Sequence, residues 1–156
     1  MTTPMTKEQF TALLQPFAEA LRAVDVEHED AALRCEQLLP HRGAQIEHLK
    51  AAALAAIASE WLLPKESGGI RFGRVAKDLF GFSVDAVLMD KAGPKHRHPN
   101  GEIDLCFTRS GEPKFDGKPE GWVVYGKDSV HVPTVRGGEM LILYFLPAGA
   151  IEFLTA

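Results

Sequence analysis

The segment GPKHRHPNGEIDLCF, residues 93–107, sets His96 and His98 on either side of Arg97 and brings Glu102 in after a short break. Alternate side chains of an extended strand share a face, so His96 and His98 would project together while Lys95 and Arg97 point the other way. Pro99, Asn100 and Gly101 form a strong turn signal, and a turn there can carry Glu102 back beside both imidazoles. Two imidazoles and a carboxylate suit iron, manganese, zinc, nickel or copper, with coordination positions left open for a substrate. A fourth ligand has to come from elsewhere, and His131, at the end of a short extended run in GKDSVHVP (126–133), is the candidate. The competing reading makes the histidines solvated residues of a polar loop and Glu102 a hairpin residue. It suits one isolated histidine better than four ligand-type side chains in order within a strand-rich region.

The elements that must position these groups fall into two halves. Between Lys7 and Val24 the apolar residues Phe10, Leu13, Leu14, Phe17, Leu21 and Val24 recur at three- and four-residue steps, the mark of an amphipathic helix. A second short helix is expected from about Glu29 to Leu38, before Pro40. A third is expected from about Gly43 to Leu63, rich in alanine and stopped by Pro64. From Ser67 onward glycine and proline become frequent and the apolar runs short and β-branched or aromatic. Strands are expected at 70–75, 82–89, 102–108, 122–125, 129–132, 140–145 and 151–154. Roughly seven or eight short strands in this span suggest a compact antiparallel sandwich or barrel. The expected division is a helical region, 1–66, packed on a metal-binding β region, 67–156.

These residues also carry a resemblance. Gly93, His96, His98, Glu102 and Gly111, followed by Gly126, His131 and Pro133, resemble the two sequence motifs of the cupin superfamily. The glycine spacings depart from that pattern, and the asparagine that usually follows the second-motif histidine is absent; these departures touch turns more than ligands. The resemblance covers about residues 68–156. It implies an α+β chain in which about three N-terminal helices precede a cupin-like antiparallel β-barrel, a double-stranded β-helix of jelly-roll type. It also implies a divalent metal ion held by His96, His98, Glu102 and His131. With the helical region in front and GWVVYGKDSVHVPTVRGGEMLILYFLPAGAIEF (121–153) behind, nearly the whole chain is similar to the small bacterial 4-hydroxylaminobenzoate lyases of nitroarene breakdown. That similarity implies conversion of 4-hydroxylaminobenzoate and water to protocatechuate (3,4-dihydroxybenzoate) and ammonia. A mononuclear iron dioxygenase acting on a catechol or aminophenol, and a non-catalytic module binding an aromatic acid, remain as alternatives.

Other residues are placed relative to the metal. If Glu102 faces inward, so do Asp104 and Cys106, while Ile103, Leu105 and Phe107 face outward and need a cover, from the N-terminal helices or a second subunit. Glu102 and Asp104 are the candidate catalytic groups, Asp104 as a neighbouring carboxylate or proton carrier, although an aspartate in water near a turn fits it equally. Cys106 reads better as packing than as a ligand. Tyr144 and Trp122 could line a cavity and stack on a ring. Arg71, Arg74, Arg109 and Arg136 could grip a carboxylate, with Arg71 and Tyr144 the candidates for substrate binding. His28, His41 and His48 lack ligand spacing. A formal charge of −4 over 156 residues offers no basic surface for nucleic acid. No apolar run suits a membrane span or a secretory leader, and the two cysteines, Cys35 and Cys106, have no disulfide spacing. The expectation is a cytoplasmic homo-oligomer with a small aromatic carboxylate as its partner.

Overall fold

Helix α1 (Lys7–Leu21) starts at a capping box: Thr6 Oγ1 accepts from the Gln9 amide at 3.1 Å and Gln9 Oε1 accepts from the Thr6 amide at 2.9 Å. It buries Phe10, Leu14, Phe17, Ala18 and Leu21, the apolar stripe of the sequence. Helices α2 (Ala31–Leu38) and α3 (Ala44–Ala56) follow. The computed structural model describes residues 5–154. Helix α3 ends well short of Leu63 because the chain turns there to cross the sheet at Gly73. A Cβ on Gly73 would lie 2.6 Å from the Leu62 carbonyl oxygen and 2.4 Å from Pro64 Cδ, so the crossing requires glycine. Leu62 and Leu63 are buried by that descent rather than by a longer helix.

Nine strands then form two antiparallel sheets. They are β1 (Lys65–Ser67), β2 (Ile70–Leu79), β3 (Phe82–Met89), β4 (His96–His98), β5 (Glu102–Phe115), β6 (Gly121–Tyr125), β7 (Ser129–His131), β8 (Val135–Pro147) and β9 (Glu152–Phe153). The large sheet has the order β1-β2-β3-β8-β5-β6 and the small one β7-β4-β9. The chain leaves the large sheet after β3, returns at β5, leaves again after β6 and returns at β8. The sheets do not close into a barrel; the architecture is a jelly-roll-like sandwich with helices on one side, within the α+β class. Strands β5 and β8 run much longer than expected, through Gly111, Gly137 and Gly138, where register shifts accommodate residues that read as loop.

Alternation divides the apolar residues of the large sheet. Ile103, Leu105, Phe107, Leu141, Leu143 and Phe145 join the buried residues of all three helices in one cluster, so the helices supply the cover that the outward face needs. Trp122 belongs to that outer cluster, and its indole N–H donates to the Leu39 carbonyl at 2.8 Å, tying the end of α2 to β6. It does not line the cavity. Cys106, Val123, Ile142 and Tyr144 form a second cluster on the inner face, toward the small sheet. Both cysteines are free and buried. Replacing Leu105 by alanine is expected to cost about 2–5 kcal/mol, read from the denaturant midpoint. Metal content of the folded variant should be unchanged, although Asp104 next to it faces the centre; a loss of metal would show that the face assignment is wrong.

Candidate metal centre

Strands β4 and β7 carry three histidines on one face of the small sheet, with His96 opposite His131 and His98 opposite Ser129. Arg97 points the other way and bridges Asp128 and Glu152 at the surface. Glu102 opens β5 in the large sheet directly after the turn. Gly101 has φ 85°, and a Cβ there would lie 2.7 Å from Val26 and 2.9 Å from the Tyr125 carbonyl oxygen. Glycine is therefore required where the turn passes beneath the helical region. The result places ligand atoms of His96, His98, Glu102 and His131 within 4.8 Å of one another, in the gap between the sheets.

The hydrogen bonds of the imidazoles define what this cluster can hold. His96 Nδ1 donates to the Pro94 carbonyl at 3.2 Å, which can only accept. His98 Nδ1 donates to Ser129 Oγ at 3.0 Å, whose own hydroxyl proton goes to the Gly126 carbonyl at 2.7 Å. His131 Nδ1 donates to Asp116 Oδ2 at 2.7 Å. In a neutral ring with its proton on Nδ1, Nε2 is a lone pair. Three such lone pairs converge: His96 Nε2 and His131 Nε2 are 3.1 Å apart, and His98 Nε2 lies 3.2 Å from Glu102 Oε1 without hydrogen-bond alignment. Both Glu102 oxygens and His98 Nε2 are buried with no hydrogen-bond partner among the described residues. A buried carboxylate facing acceptor nitrogens is costly unless a cation sits among them. Three nitrogens and one carboxylate are a donor set for a divalent transition metal, so the residues fit the ion.

Titration follows the same geometry. Burial, with smaller contributions from the neighbouring histidines, pushes His96 down to about 4 against the pull of Glu102, and burial also lowers His131. Burial alone would raise Glu102, but His98 and Asp104 beside it hold it below the usual carboxylate value. Asp104 goes the other way, raised well above its ordinary value by complete burial and then by the charge of Glu102. In the metal-free protein, the unfolded chain therefore binds more protons at His96 than the native chain between pH 6.5 and about 4. Stability gained from the neutral ring is lost as pH falls through that window. The thermal midpoint of chelated protein is expected to drop from pH 6.5 toward 4 and to be restored by added metal; a flat midpoint would show that His96 is solvated in the native state.

Asp104 is fully buried with neither oxygen hydrogen-bonded, and in register it faces Val123 of β6 and Tyr144 of β8. Tyr144 is buried on the same inner face and lines, with His96, a cavity of about 560 Å³. Arg71 does not reach this cavity. Its Nη2 approaches the Ile57 carbonyl at 3.5 Å on the helix side of the sheet, while Arg74, on the opposite parity of β2, lines the cavity. Cys106 lies two positions beyond Asp104, is outside the four-residue cluster, and has its thiol pushed well up by burial. His41 pairs with Glu36 in the helical region. Asp116, Ser129 and Tyr125 are the partners that the residue pattern did not single out. Asp116 accepts from His131, from the Tyr125 hydroxyl and, through Oδ1, from the Thr134 amide at 2.9 Å. Its place before Gly117 reads as a turn; the only signal for Ser129 is its even spacing from His131. Among the described residues no helix is long and apolar enough to cross a membrane.

The family described as PnbB, 4-hydroxylaminobenzoate lyase, matches residues 15–153. Two relatives carry that name. One, from Nocardioides sp. (strain LMS-CY), is 35% identical over 92 residues, which is 53% of this chain and 54% of the relative. The other, from Pseudomonas putida, is 25% identical over 128 residues, 69% of this chain and 73% of the relative. The match thus spans about half the length of the first relative. Solved structures with similarity include an RmlC-like cupin protein from Ralstonia eutropha JMP134, with TM-score 0.46 and 15% identity over 61% of this chain and 66% of that one. Another is Rhodobacter sphaeroides SigE in complex with the anti-sigma ChrR, with TM-score 0.49 and 15% identity over 93% of this chain and 98% of that one.

Proposed function

The chain belongs to the 4-hydroxylaminobenzoate lyase family, and on that footing we propose that it is a metal-dependent, ammonia-releasing lyase converting 4-hydroxylaminobenzoate and water to protocatechuate. The observation that carries the reading is the convergence of three Nε2 lone pairs and an unpartnered buried carboxylate beside a mostly apolar cavity. The reaction balances without an external oxidant: 4-hydroxylaminobenzoate plus one water gives protocatechuate plus ammonia, cleavage of the N–O bond providing the two-electron oxidation that the second ring hydroxyl requires. His96, His98, Glu102 and His131 would hold a divalent iron, manganese, zinc or nickel ion, which would supply Lewis acidity.

The chain's own residues supply the rest. Glu102 is held below the usual carboxylate value and burial lowers His96 and His131, which favours the ionised carboxylate and the neutral rings in which these groups ligate. Asp104, raised well above its ordinary value by burial and the charge of Glu102, is the proton carrier of this reading, acting from behind Glu102 rather than from the cavity wall. Tyr144 keeps its phenol protonated under the same burial and offers a ring face to the substrate. Apolar walls, among them Phe72, Val87 and Met89, exclude bulk water from the ring. A role in aromatic catabolism follows from that substrate.

The test is an ammonia assay on 4-hydroxylaminobenzoate under anaerobic conditions, with elemental analysis of the same preparation. Ammonia and protocatechuate in equal amounts, from protein holding about one metal per chain, are the expected result. Turnover that requires and consumes oxygen would assign the centre to a dioxygenase instead, and binding of the acid without turnover would make the protein a binding module.

A further inference from the structure

The cavity beside the metal centre carries its cationic groups away from the ligands, and sheet register shows how they are arranged. On the inner face Arg74 of β2 stands opposite Asp85 of β3, Asp85 opposite Tyr144 of β8, and Tyr144 opposite Asp104 of β5. The four form one row across four neighbouring strands. At a strand spacing of about 4.8 Å, Arg74 and Tyr144 are roughly 10 Å apart at the backbone, and Asp104 lies one strand further. Arg74, Asp85, Tyr144 and His96 all line the same cavity.

Arg74 is held by one edge only. Its Nε donates to Asp85 Oδ1 at 2.8 Å and its Nη2 to Asp85 Oδ2 at 3.2 Å, a fork that fixes the plane of the guanidinium. Nη1 has no hydrogen-bond partner among the described residues, so the Nη1/Nη2 edge is left to a ligand. Charge agrees with this geometry. Apart from His96 and the phenol of Tyr144, the ionisable groups among the described residues lining the cavity are Lys65, Arg74 and Asp85, two cations and one anion, which leaves one net positive charge. The other arginines are engaged or distant: Arg71 faces the helices, Arg109 is paired with Glu139 at 2.8 Å, and Arg136 lies at a separate surface depression beside Lys114.

The geometry points to Arg74 as the anchor for the carboxylate of an aromatic monocarboxylic acid, with Asp85 as the positioning residue that turns the free guanidinium edge toward it. The acid then lies along the row, its carboxylate on Arg74, its ring over the apolar middle and Tyr144, and its para substituent at the end nearest His96. Selectivity for the para isomer follows, because an ortho or meta substituent on an anchored ring points away from the metal ligands. Only the identity of the acid rests on the proposed lyase reaction; the anchor rests on the cavity.

Isothermal titration of the metal-loaded protein with benzoate, and with benzamide as its uncharged counterpart, tests the anchor apart from the reaction. Wild type should prefer benzoate. Arg74→Gln should weaken benzoate about 10- to 100-fold, as for loss of a charge-assisted fork, and leave benzamide within about threefold. Arg74→Lys, which keeps the charge and loses the fork, should fall between the two and guards against misfolding of the first variant, with metal content and thermal midpoint as controls. In turnover, kcat/KM for 4-hydroxylaminobenzoate should fall by at least the same factor, because the anchor both binds the acid and aligns it. Benzoate affinity unaltered in both variants, or no preference for benzoate in wild type, would overturn the assignment. Arg74-dependent benzoate binding in a wild type that releases no ammonia would remove the lyase reading and leave the anchor standing.

Discussion

Replacing His98 by alanine is expected to empty the centre of metal and to lower ammonia release by about 10³-fold or more, the scale on which a Lewis-acid centre contributes. His98 is the ligand nearest the Glu102 carboxylate, at 3.2 Å, and both are fully buried. Its loss removes one of four donors and also leaves Glu102 facing a cavity in place of an imidazole. A carboxylate so placed has to take up a proton or become solvated, and in either form it is a poorer ligand. The effect on metal should therefore exceed that of losing one donor from a solvent-exposed site. Elemental analysis and anaerobic ammonia release on the same sample check it. A variant that holds no metal and keeps full activity would refute a metal-dependent reaction; one that holds metal normally would refute the ligand set.

Asp116→Asn should weaken metal binding about 10- to 100-fold, the usual range for a carboxylate that orients a ligating histidine. Asp116 uses both oxygens as acceptors, Oδ2 toward His131 Nδ1 and the Tyr125 hydroxyl, and Oδ1 toward the Thr134 amide. An amide has one acceptor oxygen and one donor nitrogen. With nitrogen toward His131 it forces the proton onto Nε2, where the lone pair is needed; with nitrogen toward Thr134 it sets donor against donor. Asp116 has φ 49°, a conformation asparagine also adopts readily, so the backbone gives no separate reason for loss. Competition with a chelator, followed across pH, measures the effect. A lowered thermal midpoint with unchanged metal affinity would make Asp116 a loop residue only.

The two residues just discussed differ in how visible they are in the sequence. His98 stands out because strand alternation and the Pro99-Asn100-Gly101 turn are local rules, and the three side chains they single out do converge, with His131 of β7 beside them. Asp116 sits before Gly117, where aspartate is expected for turn chemistry alone, and its service to His131 depends on a fifteen-residue return that no local rule describes. Arginine placement failed to be legible for a related reason. Arg71 and Arg74 flank the same apolar pattern on β2, and only the packing of Leu62 and Pro64 over Gly73 decides which parity faces the helices. Length was over-read in α3, where alanine propensity continues past the point at which the chain has to turn. It was under-read in β5 and β8, whose glycines and charges look like loop but are carried through the sheet by register shifts.

Because β4 and β7 bear His96, His98 and His131 and β5 bears Glu102, a metal held by them would pin the two sheets to each other, and prising the sheets apart would pull ligands off the ion. The cavity's rim is made of different material. Lys65 and Ser67 of β1 and Phe153 of β9 stand there, on strands of three and two residues whose side chains are exposed. Such edges hold little of the core and can yield at small cost. A metal between β4, β5 and β7 would thus fix that part of the cavity wall, while β1 and β9 bear none of the four ligand residues.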